Sequence, residues 1–165
     1  MRYYRVLVAV GVVLVAGACA IKPCDVVRNM TAAVNRRAAG EIVSWFAPNA
    51  TLTTIHPNMS LVLNGSSAIA SVVRAQIMSL PKGKGRFLAR TNDSSIVEGP
   101  SHCRIILLSR MRALEKCAGL NNGTVSNLVE LDISPVSNKV TNMTVSAPDN
   151  SMALASRCLM HKLTT

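Results

Sequence analysis

Amphipathic helical segments come first in this sequence and strand-like segments follow, and this order limits the folds open to it. A helix is predicted to begin at Asp25, which suits the N-cap position, because apolar residues follow it at helical spacing. A second, short helix is predicted over residues 41–46. A third is predicted to begin at Ser66 and to end before Pro81. The first half of the chain therefore supplies three helices.

The second half is rich in segments that alternate or carry β-branched residues. In residues 125–134, for example, Val129, Leu131 and Ile133 share one face of a predicted strand. Helices followed by a mostly antiparallel sheet predict an α+β fold. The complete set of predicted strands covers residues 51–56, 61–63, 86–91, 95–98, 103–111, 125–134 and 139–146, and a last helix is predicted over residues 152–162.

The beginning of the chain has the pattern of an export signal. Arg2 and Arg5 precede an apolar run over residues 6–16, and small residues follow it. The run is about half of the ~20 residues that a membrane-spanning helix needs. We therefore predict a signal over residues 1–18, or over 1–20, and a single domain over residues 19–165 that lies outside the cytoplasm.

Residues 15–19 resemble the end of a bacterial lipoprotein signal, in which Cys19 would be lipidated and would become the new N-terminus. The position three before it is Ala16, where leucine is more typical. Ordinary signal cleavage near Ala18 or Ala20 is the alternative. The two alternatives predict a lipid-anchored protein and a secreted one.

Four cysteines remain once Cys19 is set aside, and an even number in an exported chain favours two disulfides. Three pairings are possible, and we favour Cys103–Cys117 as a local link with Cys24–Cys158 as a tie between the two ends. Free buried thiols are the alternative. No metal site is predicted, because no two cysteines have C-x-x-C spacing and no histidine clusters with them.

The formal net charge of +10 indicates an anionic partner. Removal of the signal leaves about +8, which favours an anionic membrane surface or an acidic polymer. Nucleic acid is not expected, since the domain has only Trp45, Phe46 and Phe87 as aromatic residues and so lacks a stacking platform. The basic turn over residues 82–86 lacks the strand and helix context of a nucleotide site, and no cofactor is predicted.

Seven N-x-S/T sequons keep a secreted eukaryotic or viral glycoprotein open as an alternative. In a bacterial protein these sequons would have no such meaning. Their asparagines are Asn29, Asn49, Asn58, Asn64, Asn92, Asn122 and Asn142.

Residues 32–35 and 42–51, the latter reading Ile-Val-Ser-Trp-Phe-Ala-Pro-Asn-Ala-Thr, resemble the opening of nuclear-transport-factor-2-like, or SnoaL-like, domains. Residues 65–75 resemble the next element of that family, and residues 122–145 resemble its closing hairpin. The resemblance implies a cone-shaped, curved, mostly antiparallel sheet that three N-terminal helices wrap around an apolar pocket. It also implies that Trp45, Phe46 and His56 contact a ligand, and that a homodimer forms through the sheet.

Several families with this fold are enzymes that use a buried carboxylate as a general base. The matching segment here, residues 52–56, holds no aspartate or glutamate. Our leading hypothesis is therefore a non-catalytic exported domain that binds a small apolar ligand or associates with itself.

Two alternatives stay open at this point. The first is an extracytoplasmic isomerase, cyclase or hydrolase in which His56 replaces the missing carboxylate and acts with a second pocket group. Candidates for that group are Glu98, His102, Glu130 and Asp132. The alternative for Glu130 and Asp132 is a strand face that points to solvent, the commoner outcome for charged side chains, where either could form a salt bridge with an arginine. The second alternative is a secreted glycoprotein that acts through surface contacts.

Overall fold

The computed structural model describes residues 21–56, 59–83 and 85–164. The predicted signal over residues 1–18, its alternative end at residue 20 and the predicted lipidation site Cys19 lie outside the described residues. Within the described part of the chain, no helix is both long enough and apolar enough to cross a membrane.

The described residues form four helices and six strands, which follow one another in the order that the sequence pattern indicates. Two single 3-10 turns, Arg112–Leu114 and Asn121–Gly123, connect the fourth strand to the fifth. The helices are α1 (Pro23–Arg36), α2 (Ala39–Ser44), α3 (Ser66–Ser79) and α4 (Ser151–Thr164), and the strands are β1 (Phe46–His56), β2 (Met59–Asn64), β3 (Phe87–Glu98), β4 (His102–Met111), β5 (Thr124–Ile133) and β6 (Val140–Ser146).

The strands form one curved, open sheet in the order β2-β1-β6-β5-β4-β3. Every neighbouring pair is antiparallel except β1 and β6, which run parallel. The predicted α+β class and the mostly antiparallel sheet are confirmed. Helices α1, α2 and α3 pack on one face, which we call the inner face, and the opposite face is the outer face.

Helix α1 has Lys22 as its N-cap, three residues before the predicted N-cap Asp25. Pro23 occupies its first turn, where a missing N–H costs nothing. Asp25 lies inside that turn, where its carboxylate interacts favourably with the positive end of the helix dipole. Its Oδ1 atom also lies 2.6 Å from Arg28 Nη1. At the other end Arg37 adopts a left-handed conformation (φ 61°), and its guanidinium donates to the carbonyls of Ile77, Leu80 and Pro81. This residue joins the end of α1 to the end of α3.

The second helix ends before Phe46, which was predicted inside it. Phe46 instead begins β1, five residues ahead of the predicted strand, and pairs with Val140 on β6. Phe46, Ala47 and Ala50 are all buried, so tertiary packing outweighs the local helical pattern here. The pairing with β6 is interrupted between Phe46 and Thr51, a stretch that contains Pro48.

Two predicted strands, residues 86–91 and 95–98, are halves of one strand, β3. The pairing of β3 with β4 shifts between Asn92 and Val97, so a bulge separates the halves. Of the basic turn over residues 82–86, which follows α3 and precedes β3, the described residues 82, 83, 85 and 86 are exposed. Strand β3 is also an edge of the sheet.

The favoured cysteine pairing is wrong. The disulfides are Cys24–Cys103, with Cα atoms 5.1 Å apart, and Cys117–Cys158, with Cα atoms 5.9 Å apart. Cys103 lies at the start of β4, and the extended strand carries the chain about 25 Å away from it. Cys117 follows in a turn at the far end, where its N–H donates to the carbonyl of Leu114. A direct bridge would need Cα atoms within about 7 Å.

The buried residues form a large core and a small one. The large core lies between α1 to α3 and the inner face of the sheet, and the first disulfide is completely buried in it. The small core lies beneath α4, the predicted final helix, and includes Leu114, Cys117, Val125 and Ala155. The second disulfide therefore fastens α4 to the turn that follows β4.

Candidate ligand-binding cavity

A cavity of about 280 Å³ opens between α1, α3 and the inner face of the sheet. It is nearly twice the ~150 Å³ that suffices for a benzene-sized guest in an engineered protein cavity. Twelve of its seventeen lining residues are apolar, and none of those seventeen is acidic or basic apart from His56. The cavity is suited to an apolar molecule larger than one aromatic ring.

The periodicity of each element explains which side chains reach the cavity. On β1, residues alternate between faces, so Leu52, Thr54 and His56 all project from the inner face. On α1, Val27 and Val34 are two turns apart and share the buried side. The same residues that build the core therefore also shape the cavity.

Five polar side chains interrupt the apolar lining: Thr31, Thr54, His56, Gln76 and Asn127. The hydroxyl of Thr31 donates to the carbonyl of Val27 at 2.8 Å and is thus satisfied within its own helix. The other four side chains form no hydrogen bond with the described residues. They offer donors and acceptors to a bound molecule.

Two of the three predicted ligand contacts line the cavity. Phe46 is buried at its wall and His56 is half-buried at the end of β1. Trp45 does not line it; this side chain is half-buried and packs against the large core. The sequence analysis missed Thr54, Gln76 and Asn127. The sequence does indicate the orientation of Asn127, because it lies two residues before Val129 on β5 and therefore projects from the same, inner face of the sheet.

The other candidate catalytic groups lie outside the cavity and are engaged elsewhere. Glu98 accepts a hydrogen bond from the backbone N–H of Cys24 at 2.8 Å. His102 Nδ1 lies 2.8 Å from Asp132 Oδ1 on the neighbouring strand. Glu130 pairs with Arg104, with 3.4 Å between Nε and Oε1. The structure therefore does not bring these groups together with His56.

The acid that does share a surface with His56 is Asp149. Both residues line a shallow crevice at the ends of β1 and β6. Burial raises the pKa of the Asp149 carboxyl, but hydrogen bonds from the Ser151 hydroxyl, the Ser151 N–H and Ser126 outweigh burial, so the pKa lies below its ordinary value. This carboxylate is committed to the start of α4 and remains ionised at neutral pH.

Among the described residues, no group of three histidine, cysteine, aspartate or glutamate side chains is placed to hold a metal ion. Asn58 lies outside the described residues, and Asn92 is half-buried. The other five sequon asparagines are exposed.

No protein-family model matches the sequence, and no curated protein sequence matches it. Solved structures do match. An NTF2-like protein of unknown function from Cytophaga hutchinsonii is 15% identical, with 79% of this chain and 92% of that chain covered and a TM-score of 0.53. A ketosteroid isomerase-like protein from Kribbella flavida is 13% identical over 76% of each chain, with a TM-score of 0.52.

An epoxide hydrolase/cyclase-like enzyme of pyran ring formation in salinomycin is 16% identical over 78% of this chain and 92% of that chain, with a TM-score of 0.57. At sequence identities this low, a match between structures supports a shared fold but does not indicate a shared reaction or ligand. The resemblance seen in residues 32–75 is confirmed at the level of the fold. The chain has the nuclear-transport-factor-2-like, or SnoaL-like, fold.

Proposed function

We propose that this protein is an exported domain that binds a small apolar ligand in the cavity and does not transform it. The observation that carries the proposal is an apolar cavity of about 280 Å³ in which four of the five polar lining side chains form no hydrogen bond with the described residues and can orient a guest. A ligand of matching chemistry has an apolar body and one or two hydrogen-bonding groups. These groups would contact His56, Gln76 or Asn127.

Binding is favoured over catalysis because no acid is among the described residues that line the cavity. Proton abstraction in an apolar pocket needs a base whose pKa is tuned by its surroundings, and related enzymes use a carboxylate. No aspartate or glutamate is among the seventeen lining residues. His56 is the single titratable group there, and the carboxylate in its crevice, Asp149, already accepts the N–H of Ser151 at 2.8 Å.

Export is supported by the two disulfides, which indicate an oxidising environment outside the cytoplasm. We propose that the exported protein is either anchored to a membrane by a lipid on Cys19 or secreted after ordinary signal cleavage. A mass spectrum of the N-terminal peptide separates the two. Glycans on the exposed sequons would instead favour the eukaryotic or viral alternative.

The ligand proposal is tested by filling the cavity. Val145 lines the cavity on β6, whereas the adjacent Thr144 belongs to the outer face. We expect Val145→Trp to weaken binding of the neutral dye Nile red at least about tenfold, because it occupies the space of the guest. Thr144→Trp is the matched control and should leave affinity within about threefold. Circular dichroism confirms that both variants fold.

Native mass spectrometry of protein from its own host then separates binding from catalysis. A retained ligand whose mass is unchanged after incubation supports the proposal. Conversion of that ligand, if abolished in His56→Ala, would show an enzyme instead. Equal loss of Nile red binding in the two tryptophan variants would show that the cavity is not the site.

Self-association is a second candidate function. The outer face of the sheet exposes apolar side chains near both of its edges, Ile55 and Val62 on β1 and β2 and Leu88 and Val97 on β3, and a second sheet packed across this face would cover them. This candidate is compatible with a ligand in the cavity, because the two use opposite faces of the sheet.

A further inference from the structure

Four arginines gather at one corner of the outer face, where β3 begins and β4 ends. The backbone N–H of Arg112 donates to the carbonyl of Arg86 at 3.0 Å, so these two residues are cross-strand neighbours. Two residues further along, Leu88 pairs with Arg110, and Arg90 follows opposite Leu108. We call Arg86, Arg90, Arg110 and Arg112 the arginine corner. All four are exposed.

The arginine corner contains two adjacent clefts. Arg90 and Arg110 line a cleft of about 200 Å³ together with the polar side chains of Asn121, Asn122 and Thr124. Arg86 and Arg112 line a second cleft of about 420 Å³ beside Pro81, at the end of the basic turn that the sequence analysis singled out. The two clefts follow one another along the β3–β4 pair.

Most of this positive charge is not neutralised by the protein. Arg110 Nη2 lies 2.7 Å from Glu115 Oε1, which is the one ion pair in the arginine corner. The side chains of Arg86, Arg90 and Arg112 form no ion pair with the described residues. Like charges on opposed strand positions are destabilising, so stability does not explain the cluster.

Protection of a sheet edge does not explain the cluster either. Charged side chains commonly discourage pairing at an edge strand such as β3. However, Arg110 and Arg112 belong to the end of β4, which is flanked by β3 and β5. The arrangement instead has the features of a surface for an anionic partner.

The chemistry of the partner follows from the geometry. Guanidinium groups match the oxygens of sulfate and phosphate, to which they donate two parallel hydrogen bonds. Arg86 and Arg90 are separated by about 13 Å of extended chain, so one small anion cannot reach both ends of the corner. No aromatic residue lines either cleft, which disfavours nucleic acid.

We propose that the arginine corner binds a linear polysaccharide that carries sulfate or phosphate groups. An anionic bilayer fits less well, because the arginines line clefts and Leu88 is the one large apolar side chain exposed among them. The two disulfides indicate an oxidising environment outside the cytoplasm, so the proposed partner is an anionic polymer of that environment. This site is independent of the cavity and of the ligand proposed for it.

The test compares two triple variants that lose the same charge. The first is Arg86→Gln with Arg90→Gln and Arg112→Gln. The matched control is Lys22→Gln with Arg74→Gln and Arg157→Gln, three exposed cations that line neither cleft. Binding of the disulfide-bonded protein to a sulfated heparin decasaccharide is measured by calorimetry over a range of salt concentrations around 0.15 M.

We expect the corner variant to lose at least about tenfold in affinity and to show a shallower dependence on salt, since fewer counterions are displaced. The control should stay within about threefold. Equal losses in both variants would show a diffuse charge effect and overturn the proposal. It would also be overturned if phosphatidylserine vesicles, and not the decasaccharide, bound with the same dependence on the corner. Thermal unfolding of each variant confirms that the fold is retained.

Discussion

At the scale of single residues, Gly123 shows how closely the turn after β4 is packed. Its backbone has a positive φ of 65°, and a β-carbon placed on it would lie 2.5 Å from the carbonyl oxygen of Met111 and 2.7 Å from the N of Glu115. Both are backbone atoms, which cannot move aside as the end of a flexible side chain could. Glycine is therefore required here both by conformation and by space.

The first prediction concerns this position. Gly123→Ala should destabilise the protein by about 2–4 kcal/mol, because backbone strain and overpacking act together. Gly40→Ala is the control: it lies within α2, and nothing lies within 4 Å of an added β-carbon. That variant should be neutral or slightly more stable. Urea unfolding measures both, and equal stabilities would contradict the account.

Residue patterns predicted part of the candidate site. Phe46 and His56 were found because the family resemblance drew attention to residues 42–56. The sequence pattern places Asn127 at an inward position, but neither Gln76 nor Asn127 follows from it as a ligand contact, since a polar residue at such a position contacts a ligand only when a cavity forms beside it. That condition depends on residues of other elements, such as Leu107 on β4.

At the scale of elements, α4 is held by a short chain of hydrogen bonds at its start. The Ser151 N–H donates to the Asp149 carboxylate, and the Ser151 hydroxyl accepts a hydrogen bond from the N–H of Ser126 on β5 at 2.9 Å. The anion also complements the positive end of the helix. Together with the Cys117–Cys158 disulfide, these bonds attach α4 to the small core.

The second prediction is that the stability contributed by Asp149 at the start of α4 depends on pH. The pKa of Asp149 lies below the ordinary value of about 3.9, so its contribution is fully present above that pH and is lost as the pH falls through the lower, folded-state value. The melting temperature of Asp149→Asn should therefore be lower than that of the native protein at pH 7 and should converge with it in strong acid.

A carboxyl titration by NMR provides the control for that prediction. Ser151→Ala removes the hydroxyl that donates to Asp149, so the midpoint of the Asp149 titration should move upward toward its ordinary value. A midpoint at or above the ordinary value in the native protein would contradict the proposed arrangement. Secondary structure content, which circular dichroism reports, should not change at neutral pH.

At the scale of the whole molecule, the outer face of the sheet is the surface that we propose for self-association. The third prediction is that Val62→Glu on β2 weakens any dimer at least about tenfold, because it places a charge in an apolar interface. Val136→Glu is the matched control, since Val136 is also exposed but lies in the turn between β5 and β6. Sedimentation equilibrium measures both, and a monomeric native protein would refute self-association.

Two of the glycosylation sequons lie on the same outer face of the sheet. Asn64 and Asn142 both pair with Thr51, so they share one row across the outer face of the sheet. Both are exposed. A glycan on either would stand where a second sheet must pack, so glycosylation at this row and dimerisation through this face exclude each other. Enzymatic removal of glycans followed by sedimentation distinguishes the two cases.

The amino-acid sequence alone determined the order of the elements, the α+β class and the buried stripes. Val129, Leu131 and Ile133, which were predicted to share one face of a strand, are all buried on β5, because a repeat of 2 residues is a local property of the chain. The even cysteine count likewise indicated two disulfides.

Only the tertiary structure decided which distant segments became neighbours. The pairing Cys24–Cys103 depends on α1 crossing the start of β4, and the start of β1 at Phe46 depends on its parallel partner β6. The arginine corner likewise forms because β3 and β4 align in one register. Such contacts join residues far apart in the chain, and their energies come from packing that no local window of sequence contains.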